Sequence, residues 1–336
     1  MRNLPARILS ASFAALALAA CTAQAVPPAH DMPVARCMNL GNALEAPMEG
    51  EWGLVIQESD FAAIAREGFD TVRLPVAWSE HLGEGDMIDP AFLARVDEVI
   101  RWGLDRGLNV IVDVHHFWEL NADPQANLPR LHHIWAQLSE HYRDWPDGLI
   151  FELINEPHDN FTQAMVNRFN AEAVRGIRLS NPDRWIVAGG AHWGGVTPFT
   201  EDAETGFAPI KDPRVIATFH SYTPFDYTHQ GAHWMDDAPK VGREFKRSDV
   251  ADMRWEMEQA ARFRARTGMP ILLGEFGAYI RTLPQTERAE YAKIMRTEAE
   301  AAGIPWCYWD WKTEFAYADK RTGISLRGMH EALFGE

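Results

Sequence analysis

The chain has 336 residues, 46% of them hydrophobic, with a formal charge of −16. That length and apolar content allow one large core, and an acid excess of this size argues against nucleic acid or an anionic membrane surface as a partner. It leaves a neutral polysaccharide open, and thirteen tryptophans supply flat indole faces that suit sugar rings as well as a core.

In chain order the first element is an address. Arg2 and Arg7 precede an apolar stretch from Ile8 to Ala20 with no acid between, the layout of a secretory signal. The stretch is short for a bilayer span. It ends Leu18-Ala19-Ala20-Cys21, which resembles a bacterial lipobox, and this reading makes Cys21 the lipidated mature N-terminus. Cleavage after Ala23-Gln24-Ala25 is the alternative. Residues 1–25 are therefore read as a leader, 26–35 as a short tether rich in proline, and 36–336 as one catalytic unit. The expectation is an exported monomer, held at the cell envelope by lipid or else freely secreted, with no spanning helix.

Eight strand-like runs follow: Cys37–Gly41, Thr71–Pro75, Asn109–His115, Leu149–Asn155, Trp185–Gly189, Val215–His220, Pro270–Glu275 and Pro305–Asp310. Several are almost continuously apolar, as strands covered on both faces are. Helical periodicity fills intervals between them. Pro90–Arg106 places Phe92, Val96, Val99, Ile100 and Leu104 on one stripe, and Phe161–Leu179, Val250–Thr267 and Thr286–Ala302 behave alike. The interval after Gly190 is rich in Gly and Pro and predicts a long loop with a short helix. Eight strand-helix units in order predict a single-domain α/β fold, the (β/α)8 TIM barrel.

Parallel strands of a barrel direct their C-terminal ends to one face. Read in order, those ends carry Asn42, Arg73, His115, Asn155 with Glu156, His220 with Tyr222, Glu275, and Trp309. Glu156 and Glu275 close two apolar runs, I-F-E-L-I-N-E and I-L-L-G-E. Two carboxyls at one barrel mouth are the minimum equipment for cleaving a glycosidic bond.

The motifs V-R-L-P-V-A-W, V-D-V-H-H, N-E-P, H-S-Y, G-E-F-G and Y-W-D-W together resemble glycoside hydrolase family 5, the cellulase type, over the chain from about Cys37 to its end. A narrower likeness to bacterial endoglucanases lies in M-N-L-G-N-A-L-E-A-P and F-D-Y-T-H-Q-G-A-H-W. The resemblance implies a retaining endo-β-glycanase that needs no cofactor or metal and takes a β-glucan polysaccharide or oligosaccharide. It makes Glu275 the nucleophile and Glu156 the proton donor, supported by Arg73, His115, Asn155, His220 and Tyr222, with Asn155 on the sugar 2-hydroxyl. Trp309 would floor the cleavage subsite and Trp234 would stack on a neighbouring sugar. His116 and His229 are candidate sugar contacts, and Asn42 and Glu45 match ligand-contacting positions, although Glu45 reads equally as a solvated loop acid. Trp52, Trp118 and Trp193 fit core or rim.

The chain departs from the family at Cys37 and Cys307, where small residues are usual, and in E-F-A-Y-A-D, which lacks an expected glycine. Strands one and eight become neighbours when a barrel closes, so the two cysteines are expected close together, either bonded or as two buried thiols. A β-mannanase or dual-specificity enzyme is the alternative within the same chemistry. A metal-dependent hydrolase, suggested by His115-His116 and His132-His133, lacks the usual His-x-His at the end of the first strand, and a non-catalytic sugar-binding lipoprotein would not need both acids.

Overall fold

The computed structural model describes residues 32–200 and 206–335. The expected leader, Cys21 and most of the tether lie outside the described residues. Eight strands, β1 (Arg36–Asn39), β2 (Thr71–Leu74), β3 (Asn109–Asp113), β4 (Leu149–Glu152), β5 (Ile186–Gly189), β6 (Val215–His220), β7 (Ile271–Glu275) and β8 (Trp306–Tyr308), pair in sequence order into a closed barrel. Every pair is parallel, including the β1–β8 closure. The expected single-domain (β/α)8 barrel is the fold.

Several predicted runs extend two or three residues past the strands. Beyond Asp113 and Glu152 the chain leaves the regular ladder but keeps single bonds to its neighbours, His115 N to Val76 O and Asn155 N to Val114 O. Those irregular extensions present the side chains of the barrel mouth.

The helices form where caps and apolar stripes agree. Asp89 accepts from Ala91 N and Phe92 N, Pro90 takes the first turn, and Val96, Val99 and Ile100 bury the inner face of helix Pro90–Leu104. Helices Gln163–Ile177, Arg247–Thr267 and Gln285–Ala301 lie close to their predicted spans. Two the periodicity did not single out are Glu58–Glu67 and Pro124–His141. The second carries Pro129 inside it, which obscures it as a helix in sequence. Among the described residues, the interval from β5 to β6 holds one turn of 3-10 helix, Thr197–Phe199.

Side chains alternate along each strand, outward to the helices or inward to the barrel axis. The inner layer at the lower end is apolar: Cys37, Ile111, Ile150, Val187, Ile216, Leu272 and Cys307, with Val34 packed against them. Two residues further up, the same parity reads Asn39, Arg73, Asp113, Glu152 and Thr218, all buried. The barrel interior is thus largely apolar below, with Thr71 its polar member, and charged above. At the seam Cys37 pairs in register with Cys307 and the two form a disulfide, resolving the alternatives left by the sequence.

Candidate active site

Arg73 is the hub of the charged layer and is wholly buried. Its Nε and Nη2 donate to both oxygens of Glu152 at 2.7 and 2.9 Å, and Nη1 donates to Glu275 Oε1 at 2.7 Å. Nη1 also reaches Asn39 Oδ1 at 3.0 Å, while Nη2 reaches Asn155 Oδ1 at 2.8 Å and lies 2.9 Å from Asp113 Oδ2. Burial works against this charge, but Glu152, Asp113 and Glu275 outweigh it and hold the guanidinium well above its usual pKa.

Asp113 ties the next layer. Its Oδ2 accepts from His115 Nδ1 at 2.8 Å, and its Oδ1 accepts from Val76 N. Burial, with Arg73 and His220 nearby, holds His115 well below the usual histidine range, so its ring is neutral. With Nδ1 donating, Nε2 accepts from Asn155 Nδ2 at 3.4 Å. Asn155 is therefore fixed at both ends of its amide, with a second N–H of Nδ2 left to a ligand.

Glu156 and Glu275 meet across His220. One oxygen of each carboxyl and His220 Nδ1 lie within 4.8 Å of one another. His220 Nδ1 is 2.7 Å from Glu156 Oε1 and 3.6 Å from Glu275 Oε2, and Tyr222 Oη donates to Glu275 Oε2 at 2.8 Å. Burial pushes both acids up to about 7; Arg73 opposes this at each, and His220 and Tyr222 also oppose it at Glu275. The two are not equivalent. Glu275 receives a guanidinium and a phenol, both of which favour the ionised form, whereas Glu156 bonds only the imidazole and opens to the cleft with 23% of its side chain exposed. These contacts stabilise the carboxylate form of Glu275 more directly than that of Glu156.

Trp309 lies parallel to the His115 ring, 5.7 Å between centroids. Two glycines make that position possible. A Cβ on Gly41 would stand 2.6 Å from the indole, and one on Gly277 would stand 2.1 Å from the Trp309 carbonyl oxygen. The glycines of L-G-N and G-E-F-G are thus space for the tryptophan. The loop beyond, E-F-A-Y-A-D, holds its turn without a glycine: Asp310 accepts from Thr313 N and Oγ1, and Phe315 packs against Tyr222, His229 and Trp234.

The remaining candidates lie further out. His116 packs edge-on to His115 at 4.6 Å and stacks on Trp118 at 4.8 Å. His229 is buried, edge-on to Tyr222 at 4.8 Å, with half-exposed Trp234 beyond it. Exposed Trp193 stacks on His158 at 3.4 Å, Trp118 meets the same imidazole edge-on at 6.1 Å, and Trp52 meets His116 edge-on at 5.6 Å. Asn42 adopts a left-handed backbone at φ 63°. Glu45 departs from the reading as a solvated loop acid. It is 2% exposed, not solvated, and its oxygens accept from Asn42 N and Ala43 N, so it braces the loop that carries Asn42. Burial pushes it up to about 8.

Sequence reasoning missed Asn39, Asp113 and Glu152. The signal was parity: Ile111, Asp113 and His115, like Ile150 and Glu152, fall on one face of a strand whose other face is apolar. His132 and His133 lie away from the mouth, on helix Pro124–His141, with His132 beside Glu172. Among the described residues the one group of three potential metal ligands is Glu156, His220 and Glu275 itself.

A closed barrel whose mouth holds two facing carboxyls over a buried arginine is the architecture of a barrel glycoside hydrolase. Residues 38–315 match the family Cellulase (glycosyl hydrolase family 5), and the chain belongs to that family. It is 31% identical over 280 residues to Endoglucanase H of Acetivibrio thermocellus, an alignment covering 81% of this chain and 29% of that one. The chain spans about a third to two thirds of the length of several such relatives. Thermotoga maritima Cel5A in complex with cellobiose superposes with a TM-score of 0.85 at 35% identity, covering 90% of this chain and 98% of that one. The same protein in complex with mannotriose gives 0.84 at 35% identity over the same shares.

Proposed function

We propose that the protein is an endo-acting β-1,4-glucanase that hydrolyses its substrate with retention of configuration. The observation that carries this reading is the closeness of the acid pair, one oxygen of Glu156 lying within 4.8 Å of one oxygen of Glu275. Inverting enzymes need carboxyls about 6.5–9.5 Å apart to seat a water between acid and sugar, whereas a nucleophile touching the sugar requires about 5–5.5 Å. Glu275, ionised by Arg73 and Tyr222, attacks the anomeric carbon as Glu156 passes its proton to the departing glycosidic oxygen. Glu156, now a base, takes a proton from water, whose oxygen displaces Glu275 from the same carbon and returns the acid pair to its starting state. The free N–H of Asn155 faces the 2-hydroxyl, a bond that strengthens as positive charge develops on the ring. Trp309 floors the subsite and the exposed tryptophans on the rims hold further sugars.

The relatives named endoglucanases support glucan as substrate. The mannotriose complex of Cel5A supports a second reading, in which the cleft also accepts β-mannan. Rates on carboxymethylcellulose, glucomannan and galactomannan separate the two. The mechanism is tested by Glu275→Ala, which should lose turnover on an aryl β-cellobioside and regain it with azide as the α-glycosyl azide. Glu156→Ala should keep most of the first step when the leaving group needs no proton. Azide rescue with a β product for the Glu275 variant would reverse the assignment.

We also propose export as an envelope lipoprotein. Its support is the Leu18-Ala19-Ala20-Cys21 sequence. A mature protein beginning at Val26 by mass spectrometry would overturn it.

A further inference from the structure

We propose that Glu256 is a positioning residue for the nucleophile, acting through Tyr222. This rests on the reading of Glu275 as the nucleophile. The phenol of Tyr222 is one of two donors on that carboxylate, yet Tyr222 lies past the end of β6, where no strand ladder fixes its direction. Its two chain neighbours are fixed instead. Ser221 Oγ donates to Glu256 Oε2, and Thr223 Oγ1 donates to Glu256 Oε1. One carboxylate, carried by helix Arg247–Thr267 outside the barrel, thus grips the residues before and after Tyr222. Ser221 N is also held by Glu275 O, and the Tyr222 carbonyl accepts from Thr228 Oγ1 at 2.8 Å. A carboxylate with both oxygens committed to hydroxyls resists rotation of the segment about its own axis, and that rotation is what would swing the phenol off Glu275.

Nothing in the reaction needs a carboxylate at this distance from the sugar, and a helix in the outer ring needs no acid pointing inward. The groups facing Glu256 are Asp252 on its own helix and Tyr291 from helix Gln285–Ala301, neither of which supplies a positive charge. Its energetic partners are the two hydroxyls. Glu275 in turn faces His220, Arg73, Glu156 and Tyr222. Of these four, Tyr222 is the one flanked on both sides by residues that Glu256 holds.

The consequence is a pH effect with a definite sign. A phenol donating to Glu275 favours the ionised nucleophile, so loosening it raises the pKa of that acid and moves the acid limb of kcat/KM to higher pH. Glu256→Ala in the full chain should move the limb up by about one pH unit, the scale of one hydrogen bond to a charged group. The loss should be roughly tenfold on the acid side and shrink as pH rises. Tyr222→Phe should move the limb by a similar amount, and the double variant no further than Tyr222→Phe alone. Glu256→Gln, whose amide can still meet both hydroxyls, should restore most of the wild-type profile. If Glu256→Ala does not fold, Ser221→Ala with Thr223→Val removes the same bonds and must give the same shift. A moved limb in Tyr222→Phe with an unmoved one in Glu256→Ala, or additive shifts in the double variant, overturns the proposal. An unmoved limb in both would instead overturn Glu275 as the titrating nucleophile.

Discussion

Replacing Arg73 by methionine keeps much of its volume and removes its charge. The guanidinium holds five hydrogen bonds, two to Glu152 and one each to Glu275, Asn39 and Asn155, and an ion pair to Asp113, with no exposure to water. Removing one partner of a buried ion network costs about 3–5 kcal/mol, because the charges left behind are neither solvated nor paired. Here those charges are Glu152, Asp113 and Glu275. Asp113 and Glu275, which burial already holds up at about 6 and about 7, relieve the cost by taking up protons, and their folded pKa values rise further above the unfolded range near 4. Between those limits the folded chain binds more protons than the unfolded chain, so stability falls as pH rises. Each such proton contributes a slope of about 1.4 kcal/mol per pH unit. Urea unfolding of wild type and Arg73→Met at pH 5 and pH 8 should therefore show a penalty that is modest at pH 5 and reaches the full value at pH 8. Arg73→Lys, a point charge without the fork, should recover part of the pH dependence and little of the activity. A penalty equal within about 1 kcal/mol at the two pH values would mean that packing was lost and that the three acids do not depend on Arg73.

Glu45 should give a pH effect of the same sign in the wild-type protein. Burial pushes it up to about 8, above its unfolded value, so its contribution is present at pH 4 and is lost as pH rises through 8. Glu45→Gln should flatten the fall in melting temperature between pH 5 and pH 9, and an unchanged slope would show that its proton is not involved. Cys307→Ser opens a loop with a sequence separation of 270, for which chain-entropy arguments give on the order of 5 kcal/mol. The denaturation midpoint of wild type under reducing conditions should fall to that of the variant, and a midpoint indifferent to reductant would deny the bond its role.

The fold was legible because its signals are independent of one another. Eight apolar runs, each closing on a polar residue, and helical stripes between them admit few architectures. The helix Pro124–His141 was less legible because Pro129 lies inside it and its stripe is weak. At the site, residues at strand ends could be read, since topology alone carries them to one face. Asp113 and Glu152 could not be read that way, because each looks like a lone acid within an apolar strand, and only the parity of an inward face gives it a partner. Glu45 was misplaced for a related reason. A glutamate in a loop reads as solvated, and its burial comes from two backbone amides that turn back on it, a local geometry that composition does not encode. Cys37 and Cys307 show the limit of topology. Neighbouring strands bring them together, but the shared register that lets them bond appears only in the pairing of Cys37 with Cys307.

The charged layer also explains why one arginine serves two acids that must differ. Burial alone drives Asp113, Glu156 and Glu275 toward their protonated forms, and the proposed nucleophile needs a cation to oppose it near neutral pH. Arg73 sets a buried positive charge against Asp113, Glu152 and Glu275, and its geometry decides which acids it stabilises as carboxylates. Both oxygens of Glu152 and one of Glu275 are bound directly, whereas Glu156 touches only His220. On the proposed mechanism, the asymmetry between nucleophile and proton donor follows from which carboxylates the guanidinium fork can reach. On that argument Arg73→Lys should narrow the gap between the two limbs of the pH profile, since a single ammonium cannot favour Glu275 over Glu156 to the same degree. The cost would fall on both steps, with more of Glu275 protonated and more of Glu156 ionised at the optimum.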